Sequence, residues 1–390
     1  NQMISYGKHF IDNADIKSVL KVLKNKPLTQ GKYIEYFEDA IKEYVGVKYA
    51  VAVSSCTAGL HIAYKSLNLN KTDTVLVPAI TFVSTANAAY YSNYNVKFID
   101  TDFNAQISID SLEKSLIKNP KIKLIVPVHF AGWTTDMNKI FKLAKKYNCK
   151  IIEDSAHALG SNYYNSKKVG SCFYSDLSVF SFHPVKTIAT GEGGMVTTNN
   201  KDYYRSLLRL RSHGINKLDD KMINYKNSHT NKVKNPWYYE MQELGFHYRI
   251  TDIQAALGIS QLKKINLFLK KRRTLYNIYI EKFKKFTNLK LINTENVSDS
   301  SCHLCVVRIN FIAIKKSRAQ VMNILKKNGI TTQVHYIPLF LHPFYGKKYN
   351  KEEFKSSISY YNECLSIPLF YELTTFQQKK VISLLFKLIG

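Results

Sequence analysis

The chain lacks any apolar run approaching the ~20 residues that a membrane helix needs. It shows no charged-then-apolar leader, and Met3, after Asn1-Gln2, reads as the natural start. Cysteine is scarce, with six in 390 residues, at positions 56, 149, 172, 302, 305 and 364. So few in so long a chain exclude a disulfide scaffold and point to a reducing cytoplasm. Cys302-His303-Leu304-Cys305 is a CxxC, but no second pair completes a zinc site. The Val306-Val307-Arg308-Ile309 that follows reads as strand, so the pair reads as packing.

Acidic residues are the other shortage. They number 29 against 56 lysines and arginines, a formal net charge of +27. Such a charge can attract nucleic acid or a membrane surface. The lysines are spread along amphipathic helices rather than set in a tail, which argues against both partners. Lys, Asn, Ile and Tyr are all abundant, as an AT-rich coding bias would give. Lys270-Lys271-Arg272-Arg273 accordingly reads as a solvated helix face.

What is present is a large core. Hydrophobic residues make up 45% of the chain, enough for one or two domains. Asp12 can cap a helix with Ile16, Val19, Leu20 and Leu23 on one face. Lys26-Pro27-Leu28-Thr29-Gln30-Gly31-Lys32 breaks it. A second helix places Ile34, Phe37, Ile41 and Tyr44 together and ends at Gly46. Apolar strands near residues 50, 75, 96, 124, 151, 179 and 195 then alternate with helical stretches. That spacing predicts an α/β fold with a mostly parallel sheet of seven strands between helices. Ligands of such sheets sit beyond the strand C-termini.

Several chemistry-bearing residues fall at those strand ends. Ser54-Ser55-Cys56-Thr57-Ala58-Gly59 separates a strand from a helix expected to begin near Leu60; such small-residue turns suit a phosphate. Phe82 follows the next strand, and an aromatic there can stack on a planar ring. Asp154 ends the Ile151-Ile152 strand, and Lys186 follows the strand from Ser178 to Phe182. A Gly-rich turn, Gly191-Glu192-Gly193-Gly194, leads into Met195–Thr198. An acid at one strand end and a lysine after another is what pyridoxal phosphate chemistry needs. The amine forms a Schiff base, and the acid keeps the ring nitrogen protonated. Many α/β proteins carry such a pair, so spacing alone does not decide.

The second half reads more loosely. Arg211 to Pro236 is polar and predicts a mobile loop or partner-contact arm. Leu262 to Phe286 predicts one long basic helix, and His303 to Phe311 a strand. Ser317 to Asn328 predicts a capped helix, Thr332 to Pro338 a strand, and Thr375 to Ile389 a closing helix.

The wording of EDSAHALGS, SVFSFHPVK and GEGGMVTTN closely resembles the sugar aminotransferases of the DegT/StrS family. The resemblance runs from Tyr6 to the C-terminal helix. It implies the type I fold of pyridoxal phosphate enzymes, with a large domain over 1–260 and a small α+β domain over 261–390. It makes Lys186 the Schiff-base lysine and Asp154 the partner of the ring nitrogen. It sets His157 against the ring hydroxyl, Phe82 over the ring, and Thr57, Ala58 and Ser181 at the phosphate. It places His247 where the family has an asparagine that reaches a neighbouring subunit's cofactor phosphate, which also implies a homodimer. Cys56 fills a small-residue slot beside the substrate and is not read as a nucleophile. Tyr6, Lys26 and Thr29, with Gln333, His335 and Tyr336 of QVHYxP, match the sugar-nucleotide side.

Within the family, LTQGK, DSAHALGS, SFHPVK, GEGG and QVHYxP resemble the 4-aminotransferases of pseudaminic acid synthesis. That likeness implies glutamate as amino donor and a UDP-linked 4-keto-6-deoxy-N-acetyl-hexose as acceptor, with Lys186 moving the proton. The positive field suits such an anionic substrate. A bacillosamine, legionaminic acid or perosamine type of 4-aminotransferase is the runner-up. Relatives that become dehydratases replace the lysine with histidine, which Lys186 argues against. A basic nucleic-acid-binding regulator without catalysis is the rival from another class.

Overall fold

The computed structural model describes residues 3–216, 222–346 and 349–389. Asn1 and Gln2 lie outside these, as does the 217–221 part of the polar arm. Helix α1 (Asn13–Asn25) starts where expected. The Asp12 carboxylate accepts from the Ala14 and Asp15 amides, and Asp15 reaches back to the Asp12 amide. Its packing reverses the expectation. Ile16, Leu20 and Leu23 are exposed, and Asp15, Ser18 and Val22 face the protein. Ser18 Oγ donates to the Ala256 carbonyl at 2.8 Å, and Asp15 accepts from Gln261 and Lys264. An apolar stripe marks a face without saying what covers it. Helix α2 (Lys32–Val45) does bury Ile34, Phe37 and Ile41, and ends at Gly46, whose φ of 75° suits glycine.

The alternating region is β1 (Tyr49–Val53), α3 (Cys56–Ser66), β2 (Thr74–Pro78), α4 (Val83–Tyr91), β3 (Asn95–Ile99), α5 (Ile109–Lys118), β4 (Ile122–Ile125), α6 (Met137–Lys146) and β5 (Lys150–Asp154). With β6 (Leu177–Ser181) and β7 (Gly194–Thr198) it builds one sheet of seven strands, ordered β1-β7-β6-β5-β4-β2-β3. Strands β2 to β6 run parallel, and β7 is antiparallel to both neighbours. Apolar cores lie on both faces. One holds Phe37, Ile41, Ile140 and Phe180; the other holds Leu60, Ala86, Val179 and Leu207, the last from α7 (Lys201–Arg211). Burial on both sides is why these strands read as continuous apolar runs.

One boundary differs from the sequence reading. Helix α3 begins at Cys56, because Ser55 caps it by accepting from the Ala58 amide at 3.1 Å. Strand β7 passes so close that a Cβ on Gly194 would lie 2.7 Å from the Cys56 nitrogen. Only glycine permits that approach.

The arm after Arg211 carries short elements: β8 (Ile215–Asn216), α8 (Tyr225–Ser228), β9 (His229–Thr230), β10 (Val233–Lys234) and β11 (Glu240–Met241). Strand β8 pairs with β11, and β9 with β10. The predicted long helix is α10 (Ile265–Phe283), which follows α9 (Asp252–Leu262). Arg272, expected on a solvated face, is buried. Its Nη1 donates to the carbonyls of Cys302, His303 and Leu369 at 3.4, 3.2 and 3.0 Å. Arg273 donates to the Ser300 and Gly160 carbonyls. The guanidinium fork satisfies backbone acceptors that converge from distant segments.

A smaller antiparallel sheet follows, from β12 (Leu289–Leu291), β13 (Cys305–Ile309) and, after α11 (Arg318–Lys327) and α12 (Lys355–Glu363), β14 (Cys364–Ile367). Helix α13 (Thr375–Ile389) closes the chain. Residues 332–338 do not form the expected strand. Only Gln333 bridges to Ser366, because His335 and Tyr336 then turn inward, to Ser366 Oγ and to His157. Among the described residues no helix is long and apolar enough to cross a membrane.

Candidate active site

The C-terminal ends of β1, β2, β5 and β6 open onto a cavity of about 700 Å³. Ser55, Cys56, Thr57, Phe82, Asp154, Ser181 and Lys186 line one part of it. Tyr6, His157, His303, Gln333, His335 and Tyr336 line the rest. Strand order explains the convergence, since parallel neighbours end on one edge of the sheet.

Asp154 is buried at this edge. Its Oδ2 accepts from Thr85 Oγ1 at 2.7 Å, and its Oδ1 from the Ala156 amide at 3.2 Å. Thr81 braces Thr85 at 2.8 Å. Burial nevertheless raises the Asp154 pKa, outweighing those donors and the field of Lys186. Among the described residues Lys and Arg side chains form no ion pair with it. The carboxyl is thus short of a cation.

Lys186 sits on a turn after β6, its amide donating to the His183 carbonyl at 2.8 Å. Desolvation lowers its pKa to about 8, with Cys56 and Asp154 pulling the other way. A lysine so placed is in part a free amine near neutrality. Burial pushes the Cys56 thiol well up, so it is no thiolate.

The opposite wall is a chain of aromatic and imidazole groups. His157 Nδ1 accepts from the Ala131 amide at 3.2 Å, and its Nε2 meets the Tyr336 hydroxyl at 3.1 Å. His335 Nδ1 bonds Ser366 Oγ at 2.7 Å, and its ring lies 5.3 Å from that of Tyr6. Burial first, then Lys186, drops the His335 pKa to about 3, and His157 and His303 are likewise driven well below their usual value. These imidazoles are neutral.

An aminotransferase family model, described as DegT/DnrJ/EryC1/StrS, matches residues 9–386. The chain belongs to that family. Among its relatives is the UDP-4-amino-4,6-dideoxy-N-acetyl-beta-L-altrosamine transaminase of Campylobacter jejuni, serotype O:23/36. The two are 39% identical over 388 residues, 99% of this chain and 98% of the relative. A Bacillus subtilis spore coat polysaccharide biosynthesis protein, SpsC, is 32% identical over 95% of this chain and 93% of its own. The solved Helicobacter pylori PseC, described as an aminotransferase involved in the biosynthesis of pseudoaminic acid, superposes with a TM-score of 0.89. It is 32% identical and covers 100% of this chain and 99% of its own.

This aminotransferase works with pyridoxal phosphate, and its cavity fits that group. A buried carboxyl short of a cation suits a pyridinium nitrogen, and a depressed lysine suits an aldehyde. The start of α3 offers amides to a phosphate, beside the Ser181 hydroxyl. Phe82 is exposed at the α4 start, as a ring-covering side chain must be.

Not every expected residue comes to this cavity. The Ala58 amide is committed to the Ser55 cap, so it is Cys56 and Thr57 that face the opening. Lys26 and Thr29 lie elsewhere, Thr29 bridging Thr251. His247 is exposed, pairs with Ser212 and sits 5.3 Å from the His213 ring. Sequence reasoning missed His303, hidden inside a CxxC that read as packing, and Thr85, whose signal was only its place one turn after Phe82. It also missed the Glu153 cluster beneath β5. There His129, Tyr163 and Ser175 all bond one buried carboxylate.

Proposed function

We propose that this aminotransferase moves an amino group from glutamate to C4 of a UDP-linked 4-keto-6-deoxy-N-acetyl-hexose, as in pseudaminic acid synthesis. The observation that carries the substrate is the 39% identity, across almost the whole of both chains, to the altrosamine transaminase of Campylobacter jejuni. When bound, pyridoxal phosphate supplies an electron sink that acidifies the carbon next to the transferred nitrogen. Lys186 holds the cofactor covalently and, once released, takes and returns the proton at the substrate carbon. Its pKa of about 8 keeps enough of it neutral to act as base. Asp154 holds the ring nitrogen, and Phe82 excludes water from one ring face. Thr57 and Ser181 orient the phosphate, and Cys56 stands beside the substrate.

Tyr6, Gln333, His335 and Tyr336 form the wall against which the sugar lies, in this reading. Lys26, Thr29 and His247 complete the site when a second copy of the chain pairs with the first. The exposed Ile16, Leu20 and Leu23 face of α1 supports such a homodimer. The setting is the cytoplasm.

The test is incubation of the protein with pyridoxal phosphate, glutamate and the UDP-4-keto-6-deoxy-N-acetyl-hexose. The reading expects a 4-amino sugar and 2-oxoglutarate in equal amounts. Turnover of other keto-sugars alone would reject the substrate but keep the enzyme class.

A further inference from the structure

Lys186 lines two cavities. One is the site described above; the other has a volume of about 10 Å³. That volume takes one water-sized occupant and no more. Arg272, Thr187 and Gln261 line it together with Lys186. Lys8 and His9, both exposed, line it as well and give it a way to solvent.

The Arg272 guanidinium is unfinished. It is buried, and all three of its hydrogen bonds leave from Nη1, to the carbonyls of Cys302, His303 and Leu369. Nη2 makes none among the described residues, and Nε is buried without a partner. No carboxylate pairs with this side chain among the described residues. Burial lowers its pKa only to about 10, so it is a cation at neutral pH. A buried charge without a counter-charge is costly, and such groups are ordinarily paired.

The rest of the lining offers donors rather than acceptors. Gln261 is already committed: its Nε2 donates to the Phe10 carbonyl at 2.9 Å and to Asp15 at 2.8 Å, and its Oε1 accepts from the Ala189 amide at 3.4 Å. Thr187 brings a hydroxyl that can donate. No Asp or Glu lines the cavity, and the nearby Glu372 is held by Lys8 at 2.7 Å. A water here would have to place two hydrogens on acceptors, whereas an anion only accepts. We propose that this cavity binds one halide ion, chloride in ordinary salt, held by the Nε–Nη2 edge of Arg272. Carboxylates and tetrahedral oxyanions are too large for the volume. The ion would complete the arginine that ties α10 to the segments around residues 302 and 369. The proposal does not rest on the substrate reading.

The experiment uses the full chain with its cofactor bound and has two arms. Crystals grown without chloride are soaked in sodium bromide, and anomalous diffraction is collected at the bromine edge. One bromide is expected against the Arg272 guanidinium. In solution, the thermal unfolding midpoint is followed as sodium bromide replaces sodium gluconate at constant ionic strength. A halide that binds only the folded chain should raise it, by about 2 °C once the halide is about tenfold above its dissociation constant. Ala189→Val fills the cavity and leaves the Nη1 bonds of Arg272 in place, so it should abolish that rise. A water at this position, or a carboxylate from a second chain on Arg272, overturns the proposal. So does a rise that survives Ala189→Val. Bromide in the crystal without a halide-specific rise in solution is binding at crystal concentration only, and overturns it too.

Discussion

Glu153 and Asp154 are consecutive, both buried, and on opposite faces of β5. The fold treats them differently. Glu153 accepts from His129 at 2.5 Å, from Tyr163 at 2.6 Å and from Ser175. The Thr135 amide in turn bonds His129 Nδ1, which sets the His129 proton on the carboxylate side. Asp154 has two donors, an elevated pKa and an open cavity in front of it. The first carboxylate is complete within the chain; the second is left short of one cation. In this molecule, function sits where the fold leaves a buried group unfinished.

Exchanging the two residues' chemistry one at a time should separate their roles. The largest effect belongs to Asp154→Asn, which should lower transamination by about 10²- to 10³-fold, the scale of one lost electrostatic contact in a dry site. Steady-state kinetics with glutamate read this. The same change should leave the cofactor-free fold intact. Because the carboxyl pKa is raised, its ionisation lowers fold stability as pH climbs past its unfolded value, and the amide removes that loss. Urea unfolding at neutral pH should therefore show Asp154→Asn as stable as the unaltered protein or more so.

Glu153→Ala should do the reverse. Three donors, His129 and Tyr163 buried and Ser175 half-buried, lose their acceptor, and stability should fall by about 2–4 kcal/mol. Unfolding of Glu153→Ala without loss would dissolve the contrast. A smaller effect concerns Lys186. Its lowered pKa means that capture of pyridoxal phosphate by the cofactor-free protein should speed up as pH rises through about 8. Stopped-flow absorbance across pH 6.5–9.5, a window about that value, checks it. A rate that keeps climbing toward the ordinary lysine range would show the amine to be solvated.

The Asp154 side of this contrast is readable in the sequence. Apolar runs buried on both faces fixed the strands, and residues just past their ends are the cavity residues Thr57, Phe82, Asp154 and Lys186. What escaped depends on segments far apart in the chain. The stripe on α1 named a face but not its outward direction. Arg272 looked solvated because its acceptors, near residues 302 and 369, are brought to it only by the fold. QVHYxP looked like a strand by composition, yet His335 and Tyr336 are drawn inward by Ser366 and His157. The Glu153 cluster gave no signal, because its four members are scattered from 129 to 175.

The most direct measurement is the visible spectrum of the protein with pyridoxal phosphate, before and after glutamate. The account predicts a band from the lysine-bound cofactor that glutamate bleaches, and that Lys186→Ala cannot form. A protein with Lys186 intact that shows no such band, or a band that glutamate leaves untouched, would contradict it.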